Sequence, residues 1–290
     1  ARMYPSKFRY EAPRSLDELS SLLNRYGDDA KILAGGQSLV PMMKLRFAAP
    51  EVLVDINGIP GLDYHREDPD GTLRVGALCR HVTLERSALL AAKHPLMAAA
   101  APLIADPMVR SRGTMVGSIC HSDPQGDWAS VLLALGGHMV ALGPRGRRTI
   151  AAGHFSLGPF QNALQPDEIA LEAVIPAPTG QRSGTYLKLE RRVGDFATAG
   201  VAMALETSDG RVVRAGIALT GVGPSNIAAT EAAQVLVGKP LSEESIEQAA
   251  QLAAAAAQPK GDHRGSAAFK RHVVATFIRR GLARGEAVAA

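Results

Sequence analysis

The spacing of apolar residues in the first sixty positions predicts one helix followed by two short strands. Residues 15–18 (SLDE) have the S-x-x-E form of a helix start, and the leucines after them recur with a helical period up to Gly27. Apolar runs at 31–34 and 51–56 are typical of strands. Helices and strands that alternate at this spacing favour a small parallel βαβ unit.

The middle of the chain mixes both patterns less regularly. Apolar runs predict strands at 73–78 and 168–175 and a hairpin of 138–142 with 148–152, and helical spacing predicts helices at 83–92, 96–105 and 128–135. We therefore expect a larger α+β part after the βαβ unit.

A stretch rich in proline and glycine at 176–184 predicts the main domain boundary, because proline has no N–H to give to a strand ladder. Beyond it, apolar positions alternate on both sides of Asp209-Gly210, a pair typical of a type I′ hairpin. Helical patterns follow at 241–257 and 266–284. We expect an α+β protein with a first domain at 1–178, divided at about residue 57 into 1–57 and 58–178, and a second at 184–290.

Composition narrows the class of protein. The chain has 290 residues, 46% hydrophobic and 21% charged, which is typical of a globular protein of two domains. The net charge of +4 comes without a basic run interleaved with aromatic residues, so we expect no nucleic-acid partner. The longest apolar stretch, 131–142, is shorter than the roughly 18 residues that a membrane span needs. The first ten residues lack the apolar run of a secretory signal.

The scarcity of cysteine and the absence of common catalytic motifs argue against a metal site and against several kinds of catalysis. Cys79 and Cys120 are far apart, with no C-x-x-C and no paired histidine spacing, so we expect no iron–sulfur cluster or metal site on this chain. Such sparse cysteine is compatible with the reducing cytoplasm. No G-x-S-x-G, H-E-x-x-H or G-x-x-x-x-G-K-[ST] motif is present, and we predict no catalytic residue.

Two glycine-rich stretches remain as candidate chemistry. Gly35-Gly36 follows the first predicted strand, and the second stretch, 112–127, reads RGTMVGSICHSDPQGD. A double glycine alone is most often a tight turn, but two converging groups of backbone N–H donors would suit a diphosphate. Asp127 has two interpretations: an N-cap of the next helix, or an acceptor for a ribityl or ribose hydroxyl.

These residues together resemble the FAD-binding medium subunits of molybdenum-containing hydroxylases, such as carbon monoxide dehydrogenase medium chains. The resemblance is carried by residues 34–39 (AGGQSL) with Pro41 and Lys44, by 113–118 (GTMVGS) with Asp123-Pro124 and Asp127, by 162–169 (NALQPDEI), and by 186–188 (YLK) leading into 194–199 (GDFATA) as one motif. Four ordered motifs cover nearly the whole chain, which makes them more specific than either glycine turn alone.

The resemblance implies a two-part FAD-binding domain followed by a C-terminal domain with a three-stranded antiparallel sheet and helices. It implies that 34–38 and 114–118 hold the FAD diphosphate, with Asp127 on the ribityl side and Lys188 and Ile169 nearer the ring. Phe196 stands where relatives often carry a tyrosine over the flavin; a phenyl ring keeps the stacking surface without the hydroxyl. Val116 and Ser118 replace a glycine and an asparagine of the common T-I-G-G-N motif. The implied cofactor-binding residues are Leu33, Ala34, Gly35, Gly36, Gln37, Ser38, Leu39, Thr114, Val116, Gly117, Ser118, Asp123, Asp127, Ile169, Lys188 and Phe196.

The resemblance also implies a role in electron transfer. Substrate would be oxidised at a molybdenum cofactor on a large partner subunit, and electrons would pass through iron–sulfur clusters of a small partner to this FAD and on to an external acceptor. A dimer of heterotrimers in the cytoplasm, or at the inner face of the membrane, is the expected assembly. Carbon monoxide, an aldehyde and an aromatic N-heterocycle remain open as substrates.

Two other functions stay open on the residues alone: a stand-alone FAD-dependent oxidase or dehydrogenase with its own substrate, and a binding module that uses the glycine turns structurally. The last helix pattern has a basic face, which is either solvated or docks an acidic partner subunit. Its members are Lys270, Arg271, Arg279, Arg280 and Arg284.

Overall fold

A computed structural model describes the chain from residue 4 to residue 289, and its side chains to residue 283. The molecule is built of three layers of sheet and helix, one for each predicted part. In this described stretch no helix is both long and apolar enough to cross a membrane. The side chain of Arg284, predicted on the basic face, lies outside the described residues.

The first layer is a parallel sheet of three strands in the order β1-β3-β2. Its elements are β1 (Arg9–Glu11), α1 (Leu16–Tyr26), β2 (Ala30–Leu33), α2 (Leu39–Lys44) and β3 (Val52–Asp55), with 3₁₀ turns at Gly27–Asp29 and Ile56–Gly58. The predicted βαβ unit is confirmed, with β1 as an unpredicted strand of three residues. Ser15 caps α1 by accepting the N–H of Glu18 at 3.1 Å, but the Glu18 carboxylate accepts from Arg14 N instead of closing the capping box.

The second layer is a five-stranded antiparallel sheet in the order β4-β5-β10-β6-β7. Its strands are β4 (His65–Glu67), β5 (Leu73–Gly76), β6 (His138–Gly143), β7 (Gly146–Ala151) and β10 (Ile169–Ile175), and β8 (Ser156–Gly158) pairs with β9 (Gln161–Asn162) beside it. The helices are α3 (His81–Glu85), α4 (Ala88–Lys93), α5 (Pro95–Ala100), α6 (Pro107–Arg112), α7 (Met115–His121), α8 (Asp127–Ala134) and α9 (Ala152–Phe155). Every residue of β10 is buried, as expected for the central strand.

Two predicted helices are shorter than their patterns. The segment 83–92 is divided between α3 and α4, because Ser87 breaks the run and caps α4 through the Leu90 N–H. The segment 96–105 leaves the α-helical form after Ala100 and continues as a 3₁₀ turn, Ala101–Leu103. Pro102 explains this second stop, because proline lacks the N–H that would extend the α-helix.

The C-terminal layer is an antiparallel sheet in the order β11-β12-β13-β14. Its elements are β11 (Gln181–Leu189), β12 (Ala199–Ser208), β13 (Arg211–Thr220), β14 (Ile227–Ala228), α10 (Thr230–Gln234), α11 (Glu243–Ala256) and α12 (Ala267–Ala289). The predicted hairpin is confirmed: Asp209 and Gly210 have φ values of 51° and 72°. The implied sheet has its three long strands and, in addition, a fourth of two residues.

The C-terminal sheet is buried on both faces, which explains why small and large apolar residues alternate along it. Val201 and Met203 of β12 pack with α11 and α12, whereas Ala202 between them packs with the core of the first two layers. Small residues on the second face let α8 approach closely. A Cβ on Gly216 of β13 would lie only 2.7 Å from the carbonyl carbon of Ala134. The sheet therefore completes the larger core and encloses the space between the layers.

Candidate cofactor-binding cleft

A cleft of about 660 Å³ lies where the three layers meet. Its volume falls in the range of small-molecule and cofactor sites. Of the sixteen residues singled out from the sequence, fifteen line it: Leu33, Ala34, Gly35, Gly36, Gln37, Ser38, Leu39, Thr114, Val116, Gly117, Ser118, Asp127, Ile169, Lys188 and Phe196. The fold thus gathers segments up to 163 positions apart in the chain around one space (Leu33 to Phe196).

The first glycine-rich stretch forms a loop between β2 and α2 whose N–H groups are free to donate. Gly36 has φ +74°, a conformation that glycine adopts without strain. Within the described chain, the backbone N–H groups of the five residues Gly35 to Leu39 find no protein acceptor, and only from Val40 onward do helical bonds begin. Successive free N–H donors at a strand end form the kind of concave site that binds phosphate oxygens.

The second stretch starts α7. Thr114 is its N-cap, and the Thr114 hydroxyl oxygen accepts the Gly117 N–H at 3.1 Å. A Cβ on Gly117 would lie 2.6 Å from this oxygen, so the cap requires glycine there. Val116 lies buried in the first turn of a right-handed helix, where a Cβ is ordinary, which explains how this position accommodates valine.

The two loops touch and are tied together by a polar bridge. A Cβ on Gly35 would lie 2.7 Å from Gly113 Cα and nearer still to the Arg112 carbonyl oxygen. Asn57 donates to the Ala34 carbonyl at 2.8 Å, and the Arg80 guanidinium donates both to Asn57 Oδ1 and to the Arg112 carbonyl, each at 2.5 Å. Asn57 and Arg80 therefore fix the spacing of the two loops.

Asp127 is not an N-cap, so that interpretation is wrong. Gly126 occupies the N-cap position, and Asp127 is the first residue of α8. Its carboxylate accepts from the Tyr186 hydroxyl at 2.6 Å and from Lys188 Nζ at 3.0 Å. Burial raises the pKa of Asp127, and the Lys188 ammonium and the Tyr186 hydrogen bond oppose this rise. The carboxylate joins α8 to the C-terminal sheet at the wall of the cleft.

Lys188 is a buried cation with a carboxylate on either side. Its ammonium group also donates to the Leu103 carbonyl at 3.0 Å and lies 3.5 Å from Glu190 Oε2, which has no hydrogen-bond partner among the described residues. The Lys188 side chain is only 2% exposed. Because charges buried this far survive only when paired, Lys188 and Asp127 depend on each other.

Phe196 stands at the open side of the cleft with half of its surface exposed. Its carbonyl accepts from the Arg264 guanidinium, which also lies 3.4 Å from the Asp195 carboxylate. A phenyl ring held at the mouth by its backbone is available for stacking on an aromatic ligand. Ile169, at the start of β10, is almost fully buried in the wall.

Asp123 is the predicted site residue that does not line the cleft. Its Oδ1 accepts the Gln125 N–H at 2.9 Å, which makes a local turn. The neighbouring Pro124 carbonyl accepts from Gly221 N of the C-terminal domain. Asp123 therefore shapes the segment that leads to Asp127 rather than the cleft surface.

Four residues of this site escaped sequence reasoning: Asn57, Arg80, His81 and Tyr186. His81 lines the cleft, and Asn57 and Arg80 donate hydrogen bonds to backbone carbonyls of the two loops. Asn57, Arg80 and His81 belong to no recognisable motif, although Asn57 and Arg80 each follow a predicted strand closely, the position where polar groups gather in such folds. Tyr186 was part of a quoted motif, but its bond to Asp127 depends on the packing of the C-terminal sheet against α8.

Fold and cleft together define a cofactor-binding protein of the α+β class. Residues 6–178 match the family model for the FAD-binding domain in molybdopterin dehydrogenase, and residues 184–284 match the model for the C-terminal domain of carbon monoxide dehydrogenase flavoproteins. The chain belongs to this family of FAD-binding subunits.

Individual proteins that match over nearly the whole chain support the same family. The chain is 42% identical over 280 residues to the carbon monoxide dehydrogenase medium chain of Hydrogenophaga pseudoflava, with 97% of each chain covered. It is 39% identical to the nicotine 6-hydroxylase medium subunit of Paenarthrobacter nicotinovorans, over 94% of this chain and 95% of the relative. A chain in the structure of the reconstituted CO dehydrogenase from Oligotropha carboxidovorans superposes with a TM-score of 0.94 at 38% identity, over 98% and 99% of the two chains.

This family membership makes the chain the FAD subunit of a molybdenum hydroxylase, an oxidoreductase complex. The molybdenum and iron–sulfur centres of such enzymes sit on other subunits. Among residues 4–283 no group of three histidine, cysteine or acidic side chains is placed to hold a metal ion.

The residues of the cleft fit FAD. The loop at Gly35 to Leu39 offers a run of free donors, as a diphosphate requires. At Gly35 and Gly117 a Cβ would fill space that the loops need. An exposed phenyl ring and an apolar wall supply the surface for a flavin ring.

Proposed function

We propose that this chain transfers electrons between an iron–sulfur partner and an external acceptor, and that substrate is oxidised on another subunit. The proposal draws on the family relationship. FAD, when bound, supplies the redox chemistry, while the protein contributes binding, orientation and electrostatics.

We propose that the diphosphate is held by 34–38 and by 114–118, with Leu33 and Leu39 flanking the first loop. The observation that carries this assignment is the run of five backbone N–H groups from Gly35 to Leu39 without a protein acceptor. Asp127 would then lie on the ribityl side, with Lys188, Ile169 and Phe196 toward the ring, because these side chains line the rest of the cleft.

In this arrangement the residues of the chain act mainly by being fixed in place before FAD binds. Asn57 and Arg80 hold the loop spacing, so the donors need not be reorganised. The hydrogen bonds from Tyr186 and Lys188 hold the Asp127 carboxylate in one orientation. Preorganised donors of this kind bind more tightly because less ordering is needed on association.

The partners we propose are a large molybdenum-cofactor subunit and a small iron–sulfur subunit, assembled as a dimer of heterotrimers in the cytoplasm or at the inner face of its membrane. Carbon monoxide, an aldehyde or an aromatic N-heterocycle is the proposed substrate, since the relatives include a carbon monoxide dehydrogenase and a nicotine hydroxylase. Native mass spectrometry of the purified complex measures the stoichiometry of the three subunits.

We also propose 1–178 and 184–290 as the two domains, with parts of about 1–57 and 58–178 in the first.

Anaerobic rapid-mixing spectroscopy of the purified complex tests electron transfer. After mixing with each candidate substrate in turn, we expect the iron–sulfur absorbance to bleach before or together with the visible flavin band, and an added acceptor to restore both. The isolated chain reconstituted with FAD should react with none of these substrates. Turnover of an organic substrate by the isolated chain would instead establish the stand-alone oxidase, and a complex without releasable FAD would refute both.

A further inference from the structure

His81 lies at the inner end of the cleft, between the core and the second glycine loop. It is the first residue of α3, it lines the cleft, and it is only 4% exposed. Its backbone N–H donates to the Gly113 carbonyl at 3.0 Å. None of the functional assignments above uses its imidazole ring.

One ring nitrogen of His81 accepts a hydrogen bond from the protein core. The indole Nε1 of Trp128, a fully buried side chain of α8, donates to His81 Nδ1 at 3.0 Å. The two ring planes are inclined by only 20°, which suits a hydrogen bond lying in both planes. Because an indole N–H can only donate, Nδ1 must accept, and the neutral imidazole then carries its proton on Nε2.

The ring is neutral in the folded protein. Burial, with the positive charges of Arg110 and Arg80, lowers the pKa of His81 to about 4. At neutral pH the side chain therefore offers one fixed N–H donor rather than a positive charge.

That donor, Nε2–H, has no acceptor among the described residues and lies beside Gly113. A Cβ on Gly113 would stand 2.8 Å from Nε2 and from Cδ2 of the ring. The backbone at Gly113 has φ −60° and ψ 149°, which any residue adopts, so the need for glycine here is one of space. The missing Cβ leaves the Nε2 edge open toward the place where Gly113 meets Gly35.

We propose that His81 is a further binding residue of this cleft, whose Nε2–H donates a hydrogen bond to a diphosphate oxygen of FAD where the Gly35 and Gly113 loops meet. This inference rests on the proposed placement of the diphosphate. Trp128 is then a positioning residue, because its indole holds the imidazole in the donor tautomer.

Nitrogen-15 NMR of histidine-labelled full-length chain tests the tautomer without cofactor. At pH 7 we expect a protonated Nε2 and an unprotonated Nδ1 for His81, and a clear shift of the Nε2 nitrogen and its proton when FAD is added. A Trp128→Phe variant should lose the fixed tautomer. An Nδ1–H tautomer in the wild-type chain, or an Nε2–H signal that FAD leaves unmoved, would overturn the inference.

FAD titration of the full-length apo-chain, followed by flavin fluorescence, tests the donor. His81→Phe keeps a planar ring but removes the donor, so we expect FAD binding to weaken about tenfold, the typical effect of one hydrogen bond to a charged acceptor. His81→Gln retains an N–H donor and should recover part of the loss. His154→Phe, at an exposed histidine of α9, is the matched control and should bind as the wild type does.

The outcomes separate this inference from the proposed function. A wild-type chain that binds no FAD would refute the proposed cofactor site, and the inference with it. A wild-type chain that binds FAD, with His81→Phe binding equally tightly, would overturn the role of His81 alone. Equal loss in His81→Phe and His81→Gln, with a lowered melting temperature in both, would assign the residue to packing and also overturn it.

Discussion

Gly35 and Gly113 lie directly against each other, although 78 positions of the chain separate them, and a Cβ on Gly35 would stand 2.7 Å from Gly113 Cα. This contact is between backbone segments, which cannot move aside as a flexible side chain does. It brings the free N–H groups of the first loop beside the start of α7.

Gly35→Ala should separate the two loops and weaken FAD binding by at least about tenfold, with a loss of stability of about 1–3 kcal/mol. Fluorescence titration with FAD and thermal unfolding of the apo-chain measure the two effects. Gly153→Ala is the matched control, because the only atom within 4 Å of its added Cβ is Leu133 Cδ2 at 4.0 Å. FAD affinity of the wild-type value in Gly35→Ala would contradict the loop contact.

Lys188→Met should destabilise the chain by about 3 kcal/mol at neutral pH, because it leaves the Asp127 carboxylate buried without its cation. Urea unfolding of the apo-chain measures this loss. Lys93→Met is the control: Lys93 pairs with Glu67 at 2.5 Å but is 58% exposed, and its loss should cost less than about 1 kcal/mol.

For Lys188→Met we also expect the loss of unfolding free energy to depend on pH, and the sign of this dependence follows from the pKa of Asp127. Burial already raises the pKa of Asp127 in the folded protein, and removing the ammonium raises it further. Between the usual aspartate value and this raised value, the folded state binds a proton that the unfolded state does not, so stability falls as pH rises. The difference in unfolding free energy between Lys188→Met and wild type should therefore be smaller at pH 5 than at pH 8. A constant difference would contradict the buried charge.

His94 should make the protein less stable in acid. Its ring is buried at the start of α5, where Nδ1 faces the Arg182 guanidinium at 3.1 Å, and burial with this charge lowers the pKa of His94 to about 4. Above pH 6.5, the pKa of histidine in the unfolded chain, neutral His94 makes its full contribution to the free energy of unfolding. As pH falls from 6.5 toward 4, about 3 kcal/mol of this free energy is lost.

Unfolding free energies at several pH values between 4 and 7.5 measure this effect. His94→Gln should show a shallower pH dependence than the wild type over that range, whereas His154→Gln, at an exposed site, should follow the wild-type curve. Parallel curves for His94→Gln and wild type would show that His94 does not carry the acid sensitivity.

Gly216→Ala tests the docking of the C-terminal sheet on α8. The added Cβ would meet the backbone of Ala134, with the carbonyl carbon at 2.7 Å and Cα at 3.1 Å. We expect a loss of about 2–3 kcal/mol and a melting temperature lower by about 5–10 °C. Gly158→Ala, whose Cβ would meet nothing nearer than 3.8 Å, should change stability by less than about 0.5 kcal/mol. A tolerated Gly216→Ala would mean that α8 and the sheet do not pack this closely.

Local patterns predicted many of the elements because their causes are local. The cap at Ser15, the turn at Asp209-Gly210 and the helix that begins after Ser242 depend on side chains a few positions apart. The interruptions of the predicted helices 83–92 and 96–105 were missed, because the effects of Ser87 and Pro102 outweighed an apolar period that continued through them.

The sequence by itself determined the family, the α+β class and the two glycine loops, because these depend on residue types at fixed spacing. Only the tertiary structure decided what the candidate side chains contact. Asp127 proved not to be the cap of α8, and its carboxylate accepts from Tyr186 and Lys188, which lie on a strand some sixty positions later. The bridge of Asn57 and Arg80, and the tautomer of His81, follow in the same way from contacts between distant segments. A hydrogen bond needs its partners within about 3 Å, and for residues this far apart only the packing of the layers sets that distance.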